Sequence, residues 1–334
     1  MIVSRTPFRI SLFGGGTDFP EWFQEHGGAV LGMAINKYCY LSVRVLPPFF
    51  KHKHRIVYSK VELVNEIDEI QHPAVRGILG MLDVMAGLEI HYDADLPARS
   101  GLGSSSSFTV GLLHALHALR GRMVSKRDIC KEAIHLEREV LNECVGCQDQ
   151  IWAGYGGLNR IDFREDGEFQ VTPLVVPPDR RQAIVGSMMV FFTGFTRFSS
   201  EIAEEQMANI DRSASERHQV RAMVDDAMSL ISADNFSVAE LGKLLHESWM
   251  LKKKLGNNVS NGQIDEIYDA ARAAGALGGK LLGAGGGGFI VFIVEPEKQD
   301  AVRRALSRLI HVTVDIDNDG SKIVVYEPNG LDHV

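Results

Sequence analysis

The sequence predicts an α+β fold in two domains, and three observations carry that prediction. At about 100–200 residues per domain, a chain of 334 residues holds two cores. Runs of β-branched and aromatic residues alternate with runs whose apolar positions recur at helical spacing. Pro177–Pro178, followed by Asp-Arg-Arg, punctuates the middle, so the domains are expected at 1–178 and 179–334.

Strands are expected at Phe8–Phe13, Tyr38–Leu46 and Arg55–Ser59, and a helix from Ala74 to Ala86 leads into a strand at Leu88–Asp95. After Pro97-Ala-Arg-Ser-Gly-Leu-Gly-Ser-Ser-Ser-Ser107, the residues Phe108, Leu112, Leu113, Leu116 and Leu119 fall at helical spacing up to Gly121. Ser125 reads as the N-cap of a second helix running to Asn142. Gly156–Phe163 and Phe169–Leu174 read as a hairpin. Beyond the proline pair come a strand (Ala183–Phe192), three helices (200–231, interrupted; 237–254; 262–274), and a strand at Phe289–Val294. A helix (Lys298–Leu309) and two strands (His311–Asp315, Lys322–Tyr326) complete the tail.

Composition excludes several classes. The longest apolar run, Ala183–Phe195, is too short for the roughly 20 residues that span a bilayer. No basic segment followed by an apolar stretch opens the chain, and four cysteines make no disulfide framework. A reduced, cytoplasmic protein is expected. The net charge of −8 without a basic stripe argues against nucleic acid as a partner. No membrane contact is expected either, and a homodimer is left open.

Glycine is in excess: 33 residues, where the usual share of about 7% gives roughly 23. Twelve of them lie in three clusters, at Gly14–Gly16, at Gly101 and Gly103, and between Gly278 and Gly288. The second cluster sits between a strand and a helix. Unpaired N–H groups and the partial positive charge of a helix N-terminus make an anion site there. Gly101, Leu102, Gly103, Ser104, Ser105 and Ser106 are the phosphate-binding candidates. No Walker A loop occurs in the chain. The third cluster contains a formal G-x-G-x-x-G at Gly283, Gly285 and Gly288, but the strand-like Phe-Ile-Val-Phe-Ile-Val follows it. A Rossmann loop must open a helix, so that reading fails. A rigid turn pressed against a ligand or the other domain survives. The first cluster ends a strand and presents Arg9, Thr17 and Asp18, a reasonable place for sugar hydroxyls.

Together the three clusters resemble, in order and content, the motifs of the GHMP kinases. The run P-x-x-S-G-L-G-S-S-S and the run KLLGAGGGGF carry the resemblance, and it spans nearly the whole chain. RISLFGGGTD, VGCQDQ and the SN-x-x-ID segment look most like the D-glycero-D-manno-heptose 7-phosphate kinases. Galactokinases carry GEHTD where this chain has Gly14-Gly15-Gly16-Thr17-Asp18, so the Glu-His pair that contacts galactose is missing. The resemblance implies a ribosomal-protein-S5-like N-terminal domain, a ferredoxin-like C-terminal domain and a site between them. It implies ATP and Mg2+, and transfer of phosphate to C1 of a heptose 7-phosphate. Other anomeric sugar kinases and a catalytically silent sugar sensor are the competing readings.

Residue by residue, the resemblance places the catalytic aspartate at Asp149 and its basic neighbour at Arg9, which can stabilise negative charge on the acceptor oxygen. It places the metal at Ser105, with Ser104 adjacent, and Glu137, with Glu132 and Glu139 as alternatives. Gly15, Gly16, Thr17, Asp18, Gln148, Gly285 and Gly286 are the substrate-side candidates. Arg99 and Arg197 are candidates for a distal phosphate. Cys144 and Cys147 read as packing residues, and His114, His117 and His135 as satisfied histidines. Lys51–Arg55 reads as a solvated loop, with a lid over the nucleotide as the sharper alternative.

Overall fold

The computed structural model describes residues 1–98, 100–195, 199–256 and 258–328. Its first part runs β1 (Ile2–Phe13), α1 (Pro20–His26), β2 (Gly28–Val45), β3 (His54–Val57) and β4 (Val61–Val64). α2 (Pro73–Met81), β5 (Leu88–Ala94), α3 (Ser104–Leu119) and α4 (Lys126–His135) follow, and a π-helical turn at Leu136–Val140 extends α4. α5 (Gln148–Tyr155), β6 (Leu158–Phe163) and β7 (Phe169–Pro173) close this part. The second part runs α6 (Pro178–Gly186), β8 (Met188–Phe192), α7 (Ser199–Ala208), α8 (Ala214–Ser232), α9 (Val238–Lys252) and α10 (Gly262–Ala273). It ends with β9 (Gly278–Leu281), β10 (Phe289–Ile293), α11 (Pro296–Ala305), β11 (Ile310–Val312) and β12 (Lys322–Tyr326).

The first sheet has the order β12-β1-β2-β5-β3-β4, and β6 pairs with the first half of β2 while β7 pairs with β6. On the edge away from β1, β2 thus serves two neighbours, β6 over Gly28–Met33 and β5 over Cys39–Val45. The second sheet, β11-β8-β10-β9, is antiparallel throughout. With helices between β8 and β9 and between β10 and β11, it is a ferredoxin-like sheet.

β1 is the hinge of the arrangement. Phe8, Ile10 and Leu12 enter a core that also holds Met223, Leu245, Leu282, Phe289 and Val291 from the second part. Fully burying one such side chain stabilises by about 1.5–3 kcal/mol. Strand alternation sends Arg9 and Ser11 to the opposite face, where both are buried.

Several expectations change. Ala183–Phe192 is not one strand: Pro178 starts α6, and β8 begins only at Met188. Proline suits the first helical turn because its missing N–H has no partner there anyway. The helix from Ser125 gives way to the π turn at Leu136, although the expected cap holds, with Ser125 Oγ accepting from Asp128 N at 3.1 Å. The interruption in 200–231 separates α7 from α8. α1, α5, β4 and β9 have no counterpart in the sequence reading. The tail of the 179–334 segment leaves the second part, and β12 pairs with β1 instead. Among the described residues, no helix is long and apolar enough to cross a membrane.

Candidate active site

α3 begins at Ser104, directly after Gly103 in the left-handed conformation (φ 75°), and no side chain caps it. The N–H groups of Ser105 and Ser106 have no intrahelical acceptor, so a 16-residue helix presents a bare N-terminus. The loop before it is clamped from behind. A Cβ on Gly101 (φ +83°) would lie 2.5 Å from the Leu282 carbonyl oxygen, and one on Gly283 would lie 2.6 Å from Gly101 Cα. Second and third clusters therefore touch backbone to backbone, which only glycine permits. Gly285 and Gly286, expected on the substrate side, face the protein instead: a Cβ on Gly285 would sit 2.7 Å from Val259 Cα, and Gly286 N donates to Val259 O at 3.1 Å.

Arg9 reaches from β1 to the first turn of α5. Its Nε donates to Asp149 Oδ1 at 2.7 Å, its Nη2 to Oδ2 at 2.5 Å, and its Nη1 to Gly101 O at 2.6 Å. The guanidinium fork thus orients the carboxylate and the phosphate loop together. The Asp149 side chain keeps 25% of its surface exposed while that of Arg9 keeps 6%, so the carboxylate can meet a ligand.

Glu137 lies in the π turn and is buried. Burial pushes its carboxyl up to about 7, against hydrogen bonds from Thr109, Ser106 and Gln150. The hydroxyl that reaches its Oε2, at 2.9 Å, belongs to Ser106, not to Ser105, which is exposed to solvent. Glu139 is exposed, and Glu132 Oε2 pairs with His117 at 2.6 Å. Glu137 Oε1 has no hydrogen-bond partner, and neither has the neighbouring Gln150 Oε1. A buried carboxylate oxygen and an amide oxygen lacking donors fit a hard cation that keeps several waters. Among the described residues no cluster of three His, Cys, Asp or Glu forms a protein-only metal cage.

The first turn divides its residues. Thr17 is spent inside the protein: its hydroxyl donates to Gly14 O (2.8 Å) and Ala29 O (2.9 Å) and accepts from Ala29 N, so it is not available to a substrate. Asp18 is buried, with Gly16 N donating to Oδ1 at 3.0 Å and Gln148 N to Oδ2 at 3.3 Å. Burial raises its carboxyl, and the nearby Asp149 adds to that. Gly16 is covered by Arg217, which donates to its carbonyl, and by Leu255. Gly15 alone is partly open.

Three buried cations were not foreseen. Lys252 Nζ donates to Leu281 O at 3.1 Å and to Gly283 O, and burial with Arg9 close by lowers it to about 7. Lys280 Nζ donates to Leu12 O at 2.8 Å, tying β9 to β1, and burial holds it well below the usual lysine range. Arg217, fully buried, donates to Gln206 O at 2.8 Å and is lowered by burial to about 10. A signal existed for two of them. Lys252 continues the stripe Leu241, Leu245, Trp249, and Arg217 continues Val220, Val224, Ala227, so each holds a core position on its helix.

The remaining candidates are settled locally. All four cysteines are free. His114 Nδ1 meets Ser321 Oγ at 3.0 Å. Lys51–Arg55 lies at the Leu88 end of β5, where Leu46 N donates to Gly87 O and Leu88 N to His54 Nδ1. Arg99 and Arg197 lie outside the described residues.

Comparison with known proteins finds matches in both parts of the chain. The GHMP kinases N terminal domain matches residues 63–157 and the GHMP kinases C terminal domain matches 229–311. The chain is 28% identical to D-glycero-alpha-D-manno-heptose 7-phosphate kinase of Campylobacter jejuni, over 92% of this chain and 93% of that one. It is 28% identical to the L-fucokinase/L-fucose-1-P guanylyltransferase of Bacteroides fragilis, over 91% of this chain but 35% of that protein. Its fold superposes with TM-score 0.76 on a D-glycero-D-manno-heptose 1-phosphate kinase of Bacteroides thetaiotaomicron, at 26% identity over 98% of this chain and 100% of that chain.

Proposed function

Since the chain belongs to the GHMP kinases and is a phosphotransferase of the sugar-kinase kind, we propose that it phosphorylates the anomeric hydroxyl of D-glycero-D-manno-heptose 7-phosphate, using ATP. The observation that carries the reading is the Arg9–Asp149 pair, held by two hydrogen bonds beside the uncapped N-terminus of α3. The Campylobacter relative and the Gly15-Gly16 sequence, where galactokinases carry Glu-His, support a heptose acceptor.

In this reading the first turn of α3 and the Gly101–Gly103 backbone receive the nucleotide's phosphates. Glu137, with Ser106 and Gln150 beside it, would hold magnesium, which when bound offsets phosphate charge. Asp149 takes the proton of the C1 hydroxyl as its oxygen bonds to the γ-phosphorus and ADP departs. Arg9 keeps that carboxylate in place and sets positive charge beside the acceptor oxygen. Lys252 and Lys280 hold the third glycine turn and β1 together around the pair. The protein works in the cytoplasm, on a phosphosugar.

A coupled ADP-release assay against heptose 7-phosphate, fucose, galactose and mannose tests the proposal. Turnover fastest with the heptose phosphate supports it. Preference for fucose, in line with the Bacteroides relative, replaces the acceptor but keeps the chemistry. Tight ATP binding without turnover of any sugar removes the catalytic reading.

A further inference from the structure

Among the described residues Arg217 is the largest charged side chain that is fully buried, and the function proposed above does not use it. It lies on α8, and each acceptor it reaches is neutral. Its Nη1 donates to Gly16 O, its Nη2 to Gln206 O at 2.8 Å and its Nε to Ser213 Oγ at 3.2 Å. The guanidinium carbon stands 5.8 Å from the centre of the Trp22 ring, and Asp18 is the charged group that bears on it. Well-packed apolar side chains often replace buried charges at no loss of stability, so stability alone gives little reason for an arginine at this core position. What an apolar side chain cannot do is hold carbonyls. A planar fork with five N–H groups holds several in fixed directions.

The two carbonyls belong to segments that lead to the site. Gly16 has a positive φ (+100°), and its N–H donates to Asp18 Oδ1 at 3.0 Å. Asp18 in turn grips the start of α5: its carbonyl accepts from Cys147 N at 2.9 Å and its Oδ2 from Gln148 N at 3.3 Å. Asp149 is the next residue. On the other side, Gln206 of α7 is buried, and its Nε2 donates to Ala284 O at 2.9 Å. Ala284 follows the Gly283 that packs against Gly101. Arg217 and Gln206 therefore join the first glycine turn to the third through the interior of the protein.

Resting on the sugar-kinase reading, we propose that Arg217 is a positioning residue for phosphoryl transfer. Through Gly16 and Asp18 it fixes the start of α5, and with it the direction from which Asp149 meets the acceptor hydroxyl. Gln206 sets that arrangement against the third glycine turn. Having no exposed surface, Arg217 acts through these groups and not on a substrate. A misplacement of about 1 Å at reacting groups costs on the order of 10²-fold in rate, so a residue that works only through backbone still weighs heavily on turnover.

The test sets sugar turnover against nucleotide binding. Arg217→Ala lowers kcat for the sugar that the wild type turns over by about 10²-fold and leaves the ATP Kd within about threefold. Guanidinium chloride at millimolar concentration refills the cavity, regains the carbonyls and restores the rate at least about tenfold, whereas sodium chloride at the same ionic strength restores none. Gln206→Leu removes only the link to Ala284 O and leaves the carbonyl that Arg217 holds, so it lowers kcat less than Arg217→Ala does. Should Arg217→Ala fail to fold, Arg217→Lys carries the test: it keeps the charge without the fork, and kcat falls about tenfold with ATP affinity again spared. An unchanged kcat, a loss shared equally with ATP binding, a folded Arg217→Ala that guanidinium does not rescue, or a larger loss in Gln206→Leu overturns the positioning role and leaves the kinase reading intact. A wild type without sugar-dependent ADP release overturns both.

Discussion

The phosphate loop and the first glycine turn are both glycine-rich, yet they are built in opposite ways. In the loop, Gly101 and Gly103 shape a backbone that leaves the first N–H groups of α3 uncapped, and two serine side chains are turned to the protein: Ser106 to Glu137, Ser107 to Pro7 O. In the turn, Gly14 and Gly16 pack against Ala29, Arg217 and Leu255, while the side chains nearest Gly15 come from elsewhere, Ser11 and Gln148. In the proposed function one region would bind with main chain, the other with side chains gathered from β1 and α5. Substitutions should therefore act differently on each.

The largest effect is expected on the side-chain-built region. Asp149→Asn lowers kcat by about 10²–10⁴-fold, the usual worth of a general base, with ATP affinity nearly unchanged in a binding titration. An unchanged kcat removes Asp149 from the mechanism.

In the main-chain-built region a single methyl is enough. Gly101→Ala meets the Leu282 carbonyl at a φ of +83°, and costs on the order of 2 kcal/mol or more in equilibrium unfolding, with weaker ATP binding. Wild-type stability and ATP affinity in this variant would show that the two glycine clusters do not support each other.

Glu137→Gln links the two regions through pH. The buried carboxyl is raised from 4.5 to about 7, so the folded protein binds the extra proton between those values. Its contribution is complete below the unfolded value and is lost as pH rises through the folded one. Without metal, Glu137→Gln therefore melts higher than the wild type at pH 8, and the gap closes towards pH 5. Its magnesium-dependent activity falls. Equal melting curves at both pH values would contradict the burial.

The smallest effect is expected at Ser105. It is exposed and makes no bond to Glu137, so Ser105→Ala changes kcat and the magnesium requirement less than Ser106→Ala does. The reverse order would return the metal role to Ser105.

Local pattern is strong where one short segment holds the whole signal. The phosphate loop, α3, the Ser125 cap and the β6–β7 hairpin were readable because a turn, a cap or a period of side chains specifies each without distant help. α5 was not, since its eight residues are buried on most sides and show no clean apolar period. β2 was half seen, because its first half gains its character from pairing with β6, more than a hundred residues away.

The chain's own residues thus determine the family and the glycine turn that opens α3, and short motifs single out Arg9 and Asp149, which the fold brings together. Tertiary structure alone selects Ser106 over Ser105 as the partner of Glu137, spends Thr17 inside its turn and returns β12 to the first sheet. It also buries Lys252, Lys280 and Arg217 around the site. The physical reason is common to all of these. A polar group's role follows from which donors and acceptors surround it once water is gone, and those partners lie far away in the chain.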